Sequence, residues 1–294
     1  MNVGVIGLGT MGGRIVQRLI GGGIVPRVFD VIPAACARAA QAGAIVSESI
    51  GALVAASDIV LSSLPMPADV EAVYTGLGGA ITTARSGHVF ADLSTIDPTT
   101  ARRLAEQLAP TGAEFLDAPV SGGPTGVDAG TLAIMIGGNA AAVDRMRPVL
   151  MTFAAKVIHV GPVGAGSVVK LANQLMVGVG TIAAMEAVTY ATRQGIPAST
   201  VLEVLSASAG DSVMLRRSIR DFHMTGDFTP AFATRLLMKD LRLFAAEAES
   251  LGLNSPVSAP TVALFEEAMA AGLANEDYAA ILKLIDPSYA RSAD

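Results

Sequence analysis

The sequence predicts an α/β fold with a doubly wound, mostly parallel sheet, followed by an all-α C-terminal domain. Strand and helix patterns alternate up to about residue 160, and only helical patterns follow. A long apolar helical stretch at about 164–193 lies between the two halves and predicts an interdomain helix. We therefore expect two domains, residues 1–162 and 163–294.

The N-terminal strand, residues 2–6, leads directly into a G-x-G-x-x-G motif and then into a helical pattern. In this context the first glycine makes a tight turn, the second lets a pyrophosphate approach the backbone, and the third packs helix on strand. Free N–H groups at the helix start face the anion. The motif predicts a Rossmann-type dinucleotide site made of Gly7, Leu8, Gly9, Thr10, Met11 and Gly12.

Asp30 ends the second predicted strand, residues 27–30, at the position from which an acid bonds the adenine ribose. A carboxylate there repels a 2′-phosphate, so the sequence favours NAD, with NADP less likely as cofactor. The alternative is that Asp30 caps the helix beginning at Pro33.

Two further strands are predicted at 59–64 and 88–92, each followed by a loop and a helix. Because ligands of parallel sheets bind at the carboxyl ends of the strands, the residues after these strands are expected near the cofactor. Further strands are expected near 114–118, 131–136 and 156–160. Leu64, Pro65 and Asp69, after the first of these strands, are the predicted cofactor contacts, and Thr95 lies at the carboxyl end of the second.

A glycine-rich segment, residues 117–126, connects two of these strands. Glycine N–H groups and a serine hydroxyl form concave anion sites, which suits a substrate carboxylate at Ser121, Gly122 and Gly123. The alternative is a flexible connector, since Gly and Pro also mark ordinary loops.

Lys170 and Asn173 lie three residues apart on the long helix, and therefore point from the same face. A charged amine on a mostly buried helix is costly unless it is used. The chain has 16 arginines but only four lysines, and lysine is the residue able to release its proton. We expect Lys170 to face a cleft where cofactor and substrate meet, although chance retention of a lysine is an equal alternative on composition alone.

Composition excludes several classes of function. The net charge of −6 argues against nucleic acid and anionic membranes as partners. The single cysteine and three scattered histidines indicate no metal site. Met1 leads at once into a strand, which favours a cytoplasmic protein, and 51% hydrophobic residues favour an oligomer.

The C-terminal part contains only helical patterns, with packing residues such as Phe228 and Leu237. Lys239-Asp240-Leu241 falls within one of these helices and, taken alone, would be a solvated charge pair. The helices are expected near 199–208, 212–222, 231–251, 256–271 and 276–285.

Four segments in this order resemble the β-hydroxyacid dehydrogenase family, which includes 3-hydroxyisobutyrate dehydrogenase and tartronate semialdehyde reductase. They are Gly-Leu-Gly-Thr-Met-Gly at 7–12, Asp-Ala-Pro-Val-Ser-Gly-Gly at 117–123, Gly-Ala-Gly-Ser-Val-Val-Lys-Leu-Ala-Asn at 164–173, and Lys-Asp-Leu at 239–241. The resemblance covers nearly the whole chain. Residues 92–98 look like the 3-hydroxyisobutyrate branch, whereas Asn173-Gln174 looks like the tartronate semialdehyde branch.

The resemblance implies a Rossmann domain followed by a helical domain for substrate binding and oligomerisation as a homodimer or homotetramer. It implies reversible hydride transfer between NAD and a small 3-hydroxy acid or the corresponding semialdehyde. Lys170 would be the general acid/base, Asn173 would hold the substrate, the loop at 121–123 would bind its carboxylate, and Lys239 would reach the cofactor. Leu64, Pro65 and Thr95 match cofactor contacts of the family, while Asp69 stands where the 3-hydroxyisobutyrate branch typically has asparagine.

Two other functions stay open at this point. Imine reduction occurs on related folds, but those relatives commonly carry aspartate or tyrosine at the position of Lys170. A catalytically silent NAD-binding module is the other alternative, and the presence of Lys170, Asn173 and Ser121 argues against it.

Overall fold

The structure is a computed structural model and describes residues 1–289. Strands and helices alternate through the first half, and helices make up the second half. The strands are β1 Val3–Ile6, β2 Arg27–Phe29, β3 Ile45–Val46, β4 Ile59–Ser62, β5 Val89–Asp92, β6 Glu114–Asp117, β7 Val120–Ser121, β8 Leu132–Gly137 and β9 Ala154–Gly161. The α-helices are α1 Gly12–Gly21, α2 Pro33–Gln41, α3 Ile50–Ala55, α4 Pro67–Thr75, α5 Pro98–Leu108, α6 Gly123–Ala129, α7 Ala140–Leu150, α8 Ala165–Arg193, α9 Ala198–Ser206, α10 Val213–Arg217, α11 Thr234–Ser250, α12 Ser258–Ala270 and α13 Leu282–Ile285.

The strands form one sheet in the order β3-β2-β1-β4-β5-β6-β8-β7, with β9 also paired to β8. The first six strands in this order are parallel, while β8 runs antiparallel to β6 and β7. The chain order reverses between β1 and β4, which is the point where α/β sheets bind their ligands. The predicted fold class, with a mostly parallel sheet and then helices, is confirmed.

The parallel strands are apolar on both faces because helices cover the sheet from both sides. Alternate residues belong to two separate cores: Val5 and Leu61 pack on one face, while Ile6 and Val60 pack on the other. Every residue of β1, β4 and β5 is buried. The sheet is therefore a rigid support for the loops at its carboxyl edge.

The chain separates into two compact units, one ending at Lys170 and the other beginning at Leu171. The dividing point lies within α8, so the first residues of this helix belong to the first unit. The predicted boundary between the two domains, between residues 162 and 163, stays a prediction.

The glycine-rich connection after β6 differs from the expected loop. It contains the short strand β7 and the helix α6. Strand β7 has only two residues, which are too few to produce an alternating pattern. Helix α6 has seven residues and contains Gly and Pro, which are typical of loops, so its sequence does not predict a helix. In the second unit, α10 continues into a π-helical turn, Ser218–His223, where the sequence predicted a regular helix.

Helix α8 spans 29 residues and contains an 18-residue stretch with a mean hydropathy of 1.4, so by length and composition alone it could cross a membrane. A core helix of a globular protein satisfies the same criterion. Ala184, Met185 and Val188 of α8 belong to the core of the second unit.

Asp277 is the polar centre of the second unit and is fully buried. Its Oδ2 accepts a hydrogen bond from the Arg217 guanidinium at 2.8 Å, and from the backbone N–H groups of Ala231 and Phe232. The guanidinium carbon of Arg217 also lies 4.4 Å from the ring centre of Tyr278. One carboxylate thus holds together segments distant in sequence.

Replacing Asp277 with asparagine is expected to lower the free energy of unfolding by about 3 kcal/mol, because the largely buried Arg217 guanidinium would keep its charge without its counter-ion. The control is Asp211→Asn, which removes the partner of Arg216 at a more exposed ion pair and should cost less than about 1 kcal/mol. Urea unfolding of the full chain measures both. Equal destabilisation by the two substitutions would contradict the central role of Asp277.

Candidate functional site

The turn between β1 and α1 is built by three glycines with different surroundings. Gly7 has a φ of +87°, and a Cβ there would lie 2.3 Å from the carbonyl oxygen of Ser63. A Cβ at Gly12 would lie 1.9 Å from the carbonyl oxygen of Gly7, whereas nothing lies within 4 Å of a Cβ built at Gly9. The first and third glycines are therefore required by packing, and the second leaves open space above the backbone.

This open space fits a dinucleotide pyrophosphate. Gly9 and Thr10 are exposed, and α1 begins at Gly12, where the N-cap residue Met11 provides no side-chain hydrogen bond to the helix N–H groups. Such a helix start binds anions through backbone N–H groups and the helix dipole. Leu8 is buried, so its predicted contact must be made by backbone atoms, while Met11 is half-buried and packs against the core.

Asp30 directly follows β2 and is half-buried. Its carboxylate accepts hydrogen bonds from the backbone N–H of Leu8 at 2.6 Å and of Ile32 at 2.8 Å. These bonds fix the carboxylate beside the glycine turn, and each oxygen retains capacity to accept another hydrogen bond. Helix α2 begins after Ile32 and has no side-chain cap, so Asp30 is not its N-cap residue.

The loops after β4 and β5 are joined by a buried hydrogen-bond network. The hydroxyls of Ser62 and Ser94 each donate to Asp92 Oδ1 at 2.7 Å, and Ser94 Oγ accepts the backbone N–H of Leu64 at 2.9 Å. Since Ser62 has already used its proton, Tyr74 must donate its hydroxyl proton to Ser62 Oγ, at 2.9 Å. The predicted contact Leu64 is thereby tied to Ser94, the neighbour of Thr95 in the sequence.

Burial and the nearby charge of Asp92 raise the pKa of Tyr74 well above its ordinary value. Tyr74 therefore stays protonated and remains a donor in the network. Sequence reasoning did not identify this network, although a serine pair in an otherwise apolar strand, at 62–63, was a visible signal. Serine in a fully buried strand needs a hydrogen-bond partner.

Pro65 and Asp69 are exposed at the start of α4. The Asp69 carboxylate accepts the backbone N–H of Met66 at 3.2 Å and so caps this helix. Capping of α4 is by itself a sufficient reason for an acid at position 69. The predicted contacts of Pro65 and Asp69 with the cofactor stay predictions.

The predicted carboxylate site lies between β7 and α6. Gly122 and Gly123 have φ values of +126° and +63°, a backbone conformation that L side chains rarely adopt. No atom lies within 4 Å of a Cβ built at Gly123, and Ser121 is half-buried. The backbone is therefore shaped by both glycines and leaves room beside Gly123.

Asp117, at the end of β6, holds the beginning of α8. Its two carboxylate oxygens accept the backbone N–H groups of Gly164 and Ser167, both at 2.7 Å. A Cβ at Gly137 would lie 2.4 Å from Asp117 Oδ1, and a Cβ at Gly166 would lie 2.6 Å from its carbonyl oxygen. In the sequence, Asp117 is recognisable only as the first residue of the 117–123 motif. Its hydrogen-bond partners, Gly164 and Ser167, lie about 50 residues further along the chain, so no local pattern identifies them.

Lys170 lies three residues after Ser167 on α8, and it is only 7% exposed. Asn173 is half-buried and follows three residues later, on the same side of the helix. Both residues lie within α8, so their spacing of three places them on one face of a helix, as predicted.

In the second unit, Asn173 and Lys239 are connected through two buried side chains. Asn173 Nδ2 donates to Gln174 Oε1 at 3.0 Å, and Gln174 Nε2 donates to Asp240 Oδ2 at 2.6 Å. The Lys239 amine lies 3.0 Å from Asp240 Oδ1. Asp240 is 1% exposed, so the expectation of a solvated Lys239–Asp240 pair is wrong. The helical pattern around these residues did not show that Gln174 packs against them.

Among residues 1–289, no three His, Cys, Asp or Glu side chains are grouped as metal ligands.

Replacing Asp117 with asparagine is expected to lower the free energy of unfolding by about 2 kcal/mol at pH 7, because one N–H would face an amide group in place of an acceptor. Burial raises the pKa of Asp117 above 3.8. The folded state therefore binds this proton more tightly than the unfolded state, and wild-type stability falls as the pH rises through the interval between the two pKa values.

The asparagine variant lacks this titration, so its deficit should be larger near pH 4 than at pH 7. Urea unfolding at both pH values measures the deficit, with Asp144→Asn, at an exposed position of α7, as the control. A deficit that grows with pH would contradict the assigned direction.

Two family models match consecutive parts of the chain. The NAD binding domain of 6-phosphogluconate dehydrogenase matches residues 2–161. The model described as NAD-binding of NADP-dependent 3-hydroxyisobutyrate dehydrogenase matches residues 164–285.

Individual relatives match over nearly the full length. The 2-(hydroxymethyl)glutarate dehydrogenase of Eubacterium barkeri is 35% identical, over 97% of this chain and 94% of that protein. The NAD-dependent L-serine dehydrogenase of Pseudomonas aeruginosa is 31% identical, over 97% and 98%. The solved structure of Mycobacterium tuberculosis 3-hydroxyisobutyrate dehydrogenase with L-serine has a TM-score of 0.89 at 33% identity, covering 97% of this chain and 98% of that one. With both halves matched by family models and such relatives along its whole length, the chain belongs to the β-hydroxyacid dehydrogenase family.

Proposed function

We propose that the protein is a cytoplasmic NAD-dependent dehydrogenase that interconverts a small 3-hydroxy acid and its semialdehyde. The observation that carries this proposal is Lys170, an amine 7% exposed and one helical turn beyond the backbone that Asp117 holds. A lysine amine held at a fixed position is suited to proton transfer, because lysine can both release and take up a proton. Full-length similarity to hydroxy-acid dehydrogenases supports the same reaction class.

The cofactor would be held by the glycine turn of residues 7–12, by Asp30, and by Leu64, Pro65, Asp69, Thr95 and Lys239. Bound NAD supplies the hydride acceptor for the oxidation. The exposed N–H groups at Gly9 and Thr10 bind the pyrophosphate, and Asp30 accepts a ribose hydroxyl while disfavouring a 2′-phosphate. The boundary between the NAD-binding domain and the helical domain is proposed to lie between residues 162 and 163.

The substrate carboxylate is bound by the Ser121 hydroxyl and the N–H groups of Gly122 and Gly123. Lys170 removes the proton from the substrate hydroxyl as the C–H hydride departs, and a carbonyl forms. In the reverse direction Lys170 returns the proton to the carbonyl oxygen, while the Asn173 amide holds that oxygen in place. Each polar group of a 3-hydroxy acid thus has a proposed partner.

The proposed substrate class follows from the chemistry that three of the relatives share. Serine, 3-hydroxyisobutyrate and 2-(hydroxymethyl)glutarate, in the names of the relatives, all carry a hydroxymethyl group on the carbon next to a carboxylate. We infer that this chain acts on the same unit and differs in the substituent it accepts. Exposed apolar side chains on α8, Met176 at 71% and Tyr190 at 72%, support a homodimer or homotetramer.

The function is tested by adding 3-hydroxyisobutyrate, L-serine, glycerate, L-threonate or 2-(hydroxymethyl)glutarate to the protein with NAD. Formation of NADH is followed by absorbance, and 4-hydroxybutyrate serves as a comparison with a displaced hydroxyl. We expect turnover of at least one 3-hydroxy acid and a lower kcat/KM for 4-hydroxybutyrate. Binding of NAD without turnover of any compound would contradict the proposal and favour a silent NAD-binding module.

Lys170→Arg is expected to reduce kcat at least about 100-fold, since arginine keeps its proton and cannot exchange it with the substrate. The Kd for NAD, measured by calorimetry, should change less than about threefold, because the pyrophosphate contacts are intact. Lys156→Arg at an exposed position of β9 is the control and should retain full turnover. Near-normal kcat in the Lys170→Arg variant would remove Lys170 from the proton-transfer role.

Asp30→Asn should reduce the ratio of kcat/KM with NAD to kcat/KM with NADP by about tenfold, or about 1.4 kcal/mol. Asparagine removes the negative charge that opposes a 2′-phosphate but keeps an oxygen able to accept a hydrogen bond. Steady-state kinetics with both cofactors measures the ratio, and Asp144→Asn is the charge-matched control. An unchanged ratio would show that Asp30 does not select the cofactor.

A further inference from the structure

Gln174 connects two residues of the proposed site within the second unit. It accepts a hydrogen bond from Asn173 at 3.0 Å and donates one to Asp240 at 2.6 Å. Asp240 in turn lies 3.0 Å from the amine of Lys239. Gln174 is 3% exposed and Asp240 is 1% exposed, so this chain of contacts is shielded from water.

The charge of Asp240 determines the orientation of both amides. An ionised carboxylate only accepts hydrogen bonds, so Gln174 must turn its NH₂ group toward Asp240. Its Oε1 then faces Asn173 and requires a donor, which fixes the Asn173 amide with Nδ2 toward Gln174. The flipped orientation would place an amide oxygen against a buried anion, which is strongly unfavourable.

The length of Gln174 makes this connection possible. Consecutive residues on a helix do not face each other, so residue 174 must reach Asp240 on α11 and also turn back to Asn173. Asparagine at 174 has one methylene fewer and would be too short to make both bonds at these distances.

We propose that Gln174 is a positioning residue, which transmits the polarity of Asp240 to Asn173 and holds the Asn173 amide in the orientation that binds the substrate oxygen. The inference rests on the proposed function, because it assigns Asn173 to the substrate. One Nδ2 hydrogen of Asn173 is used by Gln174, and the other hydrogen and Oδ1 are the groups presented to the substrate.

A double-mutant cycle over Gln174→Leu and Asn173→Ala tests this role. Gln174→Leu alone should reduce kcat/KM for the hydroxy acid about tenfold and leave KM for NAD unchanged, because the Asn173 amide without its orienting partner loses about one hydrogen bond to the substrate. In the Asn173→Ala background the same substitution should have no further effect, since Gln174 acts through Asn173. Additive losses would overturn the proposal.

Two variants accompany the cycle. Gln194→Leu, at an exposed position, is the control and should leave kcat/KM unchanged. Gln174→Asn retains the amide but shortens the side chain, and it should show the same lack of additivity with Asn173→Ala. It replaces Gln174→Leu in the cycle if the leucine variant does not fold.

Crystal structures of the wild type and of Gln174→Leu provide a readout that does not depend on turnover. The variant should show the Asn173 amide rotated or in two orientations, and an unchanged single orientation would overturn the proposal. A wild type that oxidises no 3-hydroxy acid would instead contradict the proposed function, and the crystallographic comparison would still decide the orientation of Asn173.

Discussion

The carboxylate of Asp117 is the interaction on which the arrangement of the candidate site depends. It links the carboxyl end of β6 to the first turn of α8 through two backbone N–H groups at 2.7 Å. Burying a charge is costly, and the two charge-assisted bonds and the positive helix terminus offset only part of that cost, since burial still raises the pKa of Asp117. The close approach leaves no room for side chains at Gly137 and Gly166, which explains both glycines. The position of Lys170, one turn further along α8, follows from this anchor.

Buried carboxylates organise the other parts of the site in a similar manner. Asp92 accepts from Ser62 and Ser94, and through Ser94 it fixes the loop that begins at Leu64. Asp240 accepts from Gln174 and pairs with Lys239. Each carboxylate forces its neighbours to be donors, so it determines hydrogen-bond direction across several side chains. Within each unit, the acid determines which of the neighbouring side chains and backbone groups act as donors.

The sequence was sufficient to predict the fold class, because strands buried on both faces and long apolar helices have clear patterns. It also predicted the glycine turn, where each glycine proved to have separate surroundings. It did not predict β7, which is two residues long, or the network of Asp92 with Ser62 and Ser94. Such contacts join residues distant in sequence, and local periodicity carries no information about which buried polar groups meet. The prediction that Lys239 and Asp240 form a solvated charge pair was wrong for the same reason, since Gln174, which bonds Asp240, lies 66 residues away from it.

In the proposed mechanism, the choice between substrates must depend on residues other than Ser121, Lys170 and Asn173. The carboxylate and the reacting hydroxyl are common to serine, 3-hydroxyisobutyrate and 2-(hydroxymethyl)glutarate, and Ser121, Lys170 and Asn173 are assigned to these two groups. A residue that binds a shared group stabilises all of these substrates alike and cannot discriminate between them. Discrimination requires a contact with the variable substituent on the intervening carbon. An apolar substituent selects by fit, at about 1–3 kcal/mol per methylene, whereas a charged or hydrogen-bonding substituent requires a matching polar partner and excludes apolar analogues more strongly.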